Sequence, residues 1–208
     1  MNQLANQQSF DVAQERLSDP ALDRLFRAAR THNGWLERPV PHALLEEAVE
    51  LAKLGPTAVN ASPFRVVFVE TPEAKQRLKV TLSPGNVDKT MAAPVTAIVG
   101  HDLAFHDHLP RLFPHADVRP MFSGNEAVAV HTATQSGTLQ LAYFILALRA
   151  VGLDTGPMGG FDKDKVDAAF FGGTTIRSNL LVNIGYGDHT KLFPRSPRLA
   201  FKEIASFV

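Results

Sequence analysis

The sequence predicts an α+β fold, because strand-like and helix-like segments follow one another without the regular alternation of a parallel α/β protein. Three segments have the β-branched and apolar composition of strands, namely 65–70, 94–100 and 179–187. Five or six other segments place apolar residues at helical spacing, and the longest of them covers 126–151. These observations indicate a central sheet flanked by helices.

The predicted helices have recognisable starting signals and apolar faces. The first covers 21–29, and we expect Asp19 to be its N-cap and Pro20 its first helical residue. Further helices are predicted at 41–54, 72–82 and 162–170. The 126–151 helix becomes apolar on all sides toward its C-terminal half. We therefore expect it to be central or buried at an interface.

The remaining segments are predicted to be irregular. Residues 1–20 are polar and predicted to be a flexible arm, with 21–208 as a single domain. The 101–125 segment holds four proline or glycine residues, and its length is typical of a functional or mobile segment. The 152–161 segment contains four glycines and is predicted to be a loop.

Composition excludes several classes of function. The 208 residues include 21 Lys plus Arg and 21 Asp plus Glu, so the global charge favours neither a nucleic-acid nor a membrane partner. The absence of cysteine excludes disulfides, thiolate metal sites and cysteine nucleophiles, and is compatible with a cytoplasmic location. No signal peptide or membrane span is visible. An anionic ligand would have to be held by a local cluster of donors.

The familiar catalytic and nucleotide-binding motifs are absent. The sequence has no Rossmann fingerprint, no Walker A motif and no Gly-x-Ser-x-Gly elbow. His101, His106 and His108 cluster in sequence, but the segment has no helical ligand spacing. We interpret them as surface histidines and predict no metal site.

Three short segments could bind a phosphate or a flat ligand, although each also has a structural explanation. In residues 30–33, Arg30 and His32 could donate hydrogen bonds to a phosphate. Alternatively, a cation there offsets the dipole at the C-terminal end of a helix. The glycines of 156–160 allow close backbone approach, or else form a simple connection. Arg195 and Arg198 are braced by prolines as a cation pair, or else lie in a solvated tail.

Taken together and in this order, these segments resemble the FMN-dependent nitroreductase family. The resemblance spans about residues 20–200 and rests on ARTHNGW at 29–35, GPTAVNASP at 55–63, GN at 85–86, GLDTGPMGGF at 152–161 and PRSPRL at 194–199. The branch that it most resembles contains the malonic semialdehyde reductase of pyrimidine degradation.

The resemblance implies an α/β sandwich in an intertwined homodimer, with the 126–151 helix at the dimer core and two FMN sites at the subunit interface. It implies no catalytic side chain. The FMN-contacting residues that it implies are Arg30, Thr31, His32 and Asn33, then Pro56, Thr57, Ala58 and Asn60 from the partner subunit, then Asn86, Pro157, Met158, Gly159 and Gly160, and finally the phosphate-binding pair Arg195 and Arg198.

The sequence departs from the family pattern at three places. Gly34 replaces a basic residue that often stands four positions after the first arginine. Gly159 replaces the common acidic residue of the glycine-rich segment. Thr57-Ala58 stands where the family has Ser-Ser. The first two departures remove side chains that would lie near the flavin.

The implied activity is the transfer of hydride from NADH or NADPH through FMN, by ping-pong kinetics, to a small electrophile. The preferred substrate is malonic semialdehyde, reduced to 3-hydroxypropanoate. The alternatives are a broad nitroaromatic or quinone reductase, and a flavin-binding dimer without turnover. We expect the 101–125 segment to cover the pocket, where Arg111, His115 or Arg119 could recognise a carboxylate.

Overall fold

The computed structural model describes residues 16–208, which form one four-stranded sheet with helices packed against it. Most of the predicted arm lies outside the described residues. Its last two residues, Asp19 and Pro20, already belong to the first helix. The prediction of a single domain over 21–208 stays a prediction.

Nine α-helices are present in the described part of the chain, and side-chain caps begin several of them. The first is capped by Ser18 rather than by the predicted Asp19, because the Ser18 hydroxyl accepts the amide of Ala21. The helices are α1 (Asp19–Leu22), α2 (His42–Ala52), α3 (Pro72–Lys79), α4 (Val87–Ala92), α5 (Leu109–Leu112), α6 (Pro120–Ser123), α7 (Glu126–Ala150), α8 (Lys163–Phe170) and α9 (Phe201–Ile204).

The strands form an antiparallel sheet in the order β1-β2-β4-β3. They are β1 (Phe64–Val69), β2 (Val95–Asp102), β3 (Asp154–Met158) and β4 (Ile176–Gly185). Every residue of β2 is buried, as its continuous apolar run predicted. The α+β prediction is confirmed, with four strands rather than three.

The extra strand is β3, which lies in the segment that we predicted to be a loop. Its glycine and proline are unfavourable in a central strand but compatible with an edge strand. Pro157 needs no ladder hydrogen bond at the edge. Gly156 is required because a Cβ there would lie 2.5 Å from the His32 carbonyl oxygen.

The outer edge of β3 is covered by the segment that follows the first helix. Thr31 forms a parallel bridge to Thr155, and the amide of His32 donates to the Thr155 carbonyl at 3.0 Å. Trp35 forms an antiparallel bridge to Gly187 beyond the end of β4. These main-chain bonds protect the sheet edge and hold residues 31–35 in an extended path.

The 101–125 segment is less irregular than predicted. It begins with the end of β2, continues through a short 3-10 turn (Phe105–His108), and contains α5 and α6. Phe105, Leu109 and Phe122 are buried against the N-terminal half of α7. The segment is therefore anchored by its own small core.

Helix α7 packs against α2 and the sheet, and it leaves one uncharged face exposed. No Asp, Glu, Lys or Arg occurs between Ala127 and Leu148. Phe144 and Leu148 are fully buried, whereas Val130 and Leu139 are exposed. The prediction of a central helix is confirmed by this burial. No helix in residues 16–208 is long and apolar enough to cross a membrane.

We expect Gly187→Ala to destabilise the protein by about 1–3 kcal/mol, because a buried ring must move to admit the methyl group. A Cβ at Gly187 would lie 1.9 Å from Nδ1 of His32. Urea unfolding measures the change in free energy. Gly85→Ala is the control, since no heavy atom lies within 4 Å of its new Cβ. An equal effect of both substitutions would contradict this packing.

Candidate active site

A cleft of about 490 Å³ separates the turn after the first helix from the C-terminal tail. The turn contributes Arg30, Thr31 and Asn33, and the tail contributes residues 193–196 together with Arg198. We call this space the arginine cleft, because four arginines line it: Arg30, Arg149, Arg195 and Arg198. Guanidinium groups in such a cluster suit a phosphate, which accepts several charge-assisted hydrogen bonds.

Reciprocal hydrogen bonds hold the two walls of the cleft together. Arg195 donates to the carbonyl oxygens of Arg27 and Ala29, at 2.8 and 2.9 Å. Arg30 donates to the Phe193 carbonyl in the opposite direction. A π-helical turn (Asp23–Arg27) continues α1, and the compensation of its end, which we considered for Arg30, is supplied by Arg195.

Arg149 is a cleft residue that sequence reasoning missed. It lies in the last turn of α7, and its Nη1 donates to the Leu25 carbonyl at 3.1 Å. Burial lowers the pKa of its guanidinium, and the nearby Arg24 acts in the same direction, while Asp154 opposes them. The available signal was its place within α7 as the first charged residue after the uncharged run at 127–148.

The side chain of His32 does not line the arginine cleft. Its ring is 2% exposed, and it packs tilted against Trp35 and edge-on to His189, with ring centroids 6.0 and 5.3 Å away. Its buried Nδ1 atom has no hydrogen-bond partner. The structure therefore brings Arg30, Thr31 and Asn33 to the cleft, and places the intervening imidazole in the interior.

Asp154 connects this histidine to the surrounding elements. One carboxylate oxygen accepts the amide of Gly187 at 3.0 Å, and the other accepts Nη1 of Arg24 at 3.4 Å. The second oxygen also lies 3.9 Å from Nε2 of His32. This carboxylate thereby joins the π-helical turn at Asp23–Arg27, the start of β3 and the chain after β4.

The same carboxylate belongs to a group that could hold a metal ion. Ligand atoms of His32, Asp154 and His189 lie within 4.8 Å of one another. However, both oxygens of Asp154 already accept hydrogen bonds, and the guanidinium of Arg24 repels a cation. His101, His106 and His108 form no such group within residues 16–208. A metal ion bound here would therefore have to compete with the hydrogen bonds that Asp154 already accepts.

Two further predicted site segments meet where Asn86 contacts the glycines after β3. The side-chain amide of Asn86 donates to the Gly160 carbonyl at 2.7 Å, and the backbone amide of Ser83 donates to the same oxygen at 3.0 Å. A Cβ on Gly160 would lie 2.3 Å from Nδ2 of Asn86. Two predicted site residues are thus in contact, and exposed Gly159 stands beside them.

Pro157 and Met158 lie at the end of β3, near these glycines in sequence. Pro157 is half-buried. The Met158 side chain is buried, and its sulfur accepts the Thr90 hydroxyl at 3.6 Å. Only the backbone of Met158 is therefore available to a ligand in this arrangement.

The 55–63 loop has an unusual backbone. Val59, Asn60 and Ser62 all have positive φ, at 46, 53 and 42°. This region is unfavourable for residues with a side chain, and most of all for a β-branched valine. Such conformations concentrate at functional sites.

Several hydrogen bonds maintain that loop. The Asn60 side chain donates to the Leu112 carbonyl at 2.8 Å, and the Ser62 amide donates to Oγ1 of Thr57 at 3.1 Å. Pro56, Ala58 and Asn60 are exposed. None of these loop residues lines the arginine cleft of the same chain.

Comparison with known proteins identifies the family. The family model described as the nitroreductase family matches residues 26–186, which is most of the chain. The chain belongs to the nitroreductase family. A relative from Burkholderia lata, provisionally named NADH dehydrogenase/NAD(P)H nitroreductase, is 65% identical over 189 residues, covering 91% of this chain and 97% of the relative.

Solved structures share the nitroreductase fold. A provisionally named nitroreductase from Exiguobacterium sibiricum, solved in complex with FMN, has a TM-score of 0.79 at 21% identity and covers 93% of this chain and 99% of its own. The enone reductase CLA-ER, from gut-bacterial fatty acid saturation metabolism, has a TM-score of 0.79 at 18% identity, with 93% and 100% covered. At these identities the likeness concerns the fold alone.

The basic residues of the 101–125 segment differ in their surroundings. Arg119 donates to Asp107 through two nitrogens, at 2.6 and 3.2 Å, so its charge is already paired. His115 packs edge-on to Phe113. Arg111 is exposed and forms no ion pair within the described residues. It directly precedes Leu112, which binds the strained 55–63 loop.

Protein stability is expected to fall as the pH drops below 6.5. Burial lowers the pKa of both His32 and His101 from the ordinary value of 6.5. Between that value and the lowered pKa, the unfolded chain binds protons that the folded chain does not, so the folded state loses stability. Each histidine changes the free energy of unfolding by at most about 1.4 kcal/mol per pH unit.

Urea unfolding at several pH values between 7.5 and 5 tests this expectation. His101→Gln should make the free energy of unfolding less dependent on pH. The control is His108→Gln, which removes an exposed histidine that lies outside α7. Identical slopes for the native protein and His101→Gln would show that the buried imidazole does not resist protonation.

Proposed function

We propose that this protein is an FMN-dependent oxidoreductase that passes hydride from NADH or NADPH to a small electrophile by ping-pong kinetics. The observation that carries the proposal is the arginine cleft, formed by the turn at 29–33 and the tail at 193–198. Family membership and the names of the relatives give independent support.

The residues of the site fit an FMN molecule. Arg30, Arg195 and Arg198 would hold its phosphate, with Thr31 and Asn33 beside them. Asn86 and the glycines at 159–160 form a flat wall with little side-chain bulk, suited to the edge of a ring system. Bound FMN supplies the hydride chemistry. The protein residues bind and orient it, and no side chain need act as a nucleophile.

We further propose a homodimer in which each cofactor site uses both subunits. The exposed uncharged face of α7 is a suitable interface because its association requires no charge desolvation. The 55–63 loop is strained and exposed, and it lies outside the arginine cleft of its own chain. A partner subunit would supply Pro56, Thr57, Ala58 and Asn60. The proposed location is the cytoplasm, with which a cysteine-free chain is compatible.

The preferred substrate is malonic semialdehyde, which would be reduced to 3-hydroxypropanoate. It carries a carboxylate, and Arg111 is a suitable partner because it is exposed, unpaired within residues 16–208 and next to the 55–63 loop. A broad nitroaromatic or quinone reductase needs no such cation. A non-catalytic flavin-binding dimer is the alternative from another class.

Removing two cleft arginines should release the cofactor. We expect Arg195→Ala with Arg198→Ala to weaken FMN binding at least about a hundredfold, because two charged donors to the phosphate are lost. Flavin absorbance after gel filtration measures occupancy. The control is Lys53→Ala with Lys79→Ala, which removes equal charge elsewhere. Full flavin content in the cleft variant would contradict the phosphate assignment.

Catalysis is tested by anaerobic addition of NADPH or NADH to the flavin-loaded protein. The oxidised flavin absorbance should bleach within seconds and return when an electron acceptor is added. A flavin that stays oxidised with both nucleotides would favour the non-catalytic dimer. A protein that binds no FMN after incubation would overturn the proposed function as a whole.

Substrate preference is tested with Arg111→Gln and two matched acceptors, 4-nitrobenzoate and 4-nitrobenzamide. We expect the preference for the carboxylate, as a ratio of kcat/KM values, to fall about tenfold. Arg119→Gln should leave the ratio unchanged, because Asp107 already pairs that charge. Rates with malonic semialdehyde then separate the aldehyde reductase from the broad reductase. An unchanged ratio in Arg111→Gln would remove this arginine from recognition.

A further inference from the structure

Arg149 forms no ion pair with a carboxylate within residues 16–208. The residue lies half-buried in the last turn of α7, and it lines the arginine cleft. Its Nη1 donates to the Leu25 carbonyl at 3.1 Å, but a neutral acceptor leaves the charge uncompensated. A guanidinium that is partly removed from water is costly unless an anion pairs with it. The position of Arg149 therefore favours a ligand of negative charge.

The C-terminal end of α7 does not require this guanidinium. A cation near a helix C-terminus offsets the helix dipole, and Arg24 already supplies one there. Nε of Arg24 donates to the Arg149 carbonyl at 2.8 Å, and Nη2 donates to the Leu153 carbonyl at 2.9 Å. Arg24 in turn pairs with Asp154 at 3.4 Å. The guanidinium of Arg149 is therefore a second cation at this helix end, and helix termination does not account for it.

The charges around Arg149 are mostly of its own sign. The other three arginines of the cleft bring further positive charge, and no Asp or Glu lines the cleft in the part of the chain that the structure describes. Burial lowers the pKa of the Arg149 guanidinium, and Arg24 acts in the same direction, whereas Asp154 raises it. An anion in the cleft would offset both the burial and the repulsion between guanidinium groups, whereas a neutral ligand would offset neither.

We propose that Arg149 binds the phosphate of FMN from the α7 side of the cleft, and that its uncompensated charge makes the folded protein more stable with a phosphate bound than without. This inference rests on the proposed function. The phosphate carries about two negative charges at neutral pH, and a guanidinium can donate two parallel hydrogen bonds to it. Riboflavin has a hydroxyl group in place of the phosphate, so it would leave Arg149 without a counter-ion. The cleft therefore selects FMN over riboflavin.

Arg149→Met tests this assignment by removing the charge while keeping an apolar stem. We expect the Kd of FMN to rise about thirtyfold, because a charge-assisted contact to the phosphate is lost, and the Kd of riboflavin to stay unchanged. Quenching of flavin fluorescence measures both. Arg177→Met is the control, because it removes an exposed arginine of β4 that lies outside the arginine cleft. An unchanged Kd of FMN, or an equal rise for both flavins, would overturn the role of Arg149.

Inorganic phosphate tests the same contact without a flavin. Compared with chloride at equal ionic strength, millimolar phosphate should raise the Tm of the native protein and of Arg177→Met. Arg149→Met should lose most of that rise. In chloride alone, its Tm should be no lower than that of the native protein, because the substitution removes a half-buried cation that has no ion pair within the described residues.

A second variant separates the charge of Arg149 from its hydrogen bond. Arg149→Gln keeps a donor for the Leu25 carbonyl, and it should behave like Arg149→Met with phosphate and with both flavins. A full phosphate effect in both variants, or a lower Tm of both in chloride, would overturn the proposal. A native protein that phosphate stabilises but that binds no FMN would instead overturn the proposed function.

Discussion

The candidate site depends on one half-buried carboxylate more than on any other group. Asp154 accepts hydrogen bonds from Arg24 and from the amide of Gly187, and it faces the imidazole of His32. These partners come from widely separated parts of the chain, and together they fix the path of residues 30–35 beside the sheet. Loss of this carboxylate would leave the Gly187 amide without its acceptor and Arg24 without its opposite charge, although Arg24 would still donate to the Arg149 and Leu153 carbonyls.

Local patterns predicted the elements whose formation depends on local chemistry. Helix α7 was evident because a long uncharged sequence with helical periodicity can only be buried or paired. Strand β2 was evident from continuous apolarity. Strand β3 was missed because glycine and proline oppose strand formation locally, and its position at the sheet edge arises only after β4 is in place. The resemblance to a family gave the order of the segments, but it did not predict that pairing with β4 would outweigh the low strand propensity of β3.

The same distinction applies to the site. Arg195 and Arg198 stood out because each directly follows a proline, and Arg30 stood out because it lies where a predicted helix gives way to a loop. All three line one cleft. Arg149 could not be assigned from sequence, because it reaches the cleft through contacts with residues more than a hundred positions earlier. The burial of His32 likewise depends on space created by distant Gly187. Long-range packing therefore determined which of several polar side chains faces solvent and which is enclosed.

The uncharged exposed face of α7 and the charged cleft should respond to ionic strength in opposite ways. Added salt screens the attraction between arginines and a phosphate. Contacts between apolar and small polar side chains are insensitive to screening, and strongly hydrated salts such as sulfate strengthen them. In the proposed dimer, a concentrated salt solution would then remove FMN from a subunit pair that remains associated. This asymmetry offers a way to prepare the cofactor-free assembly without unfolding it.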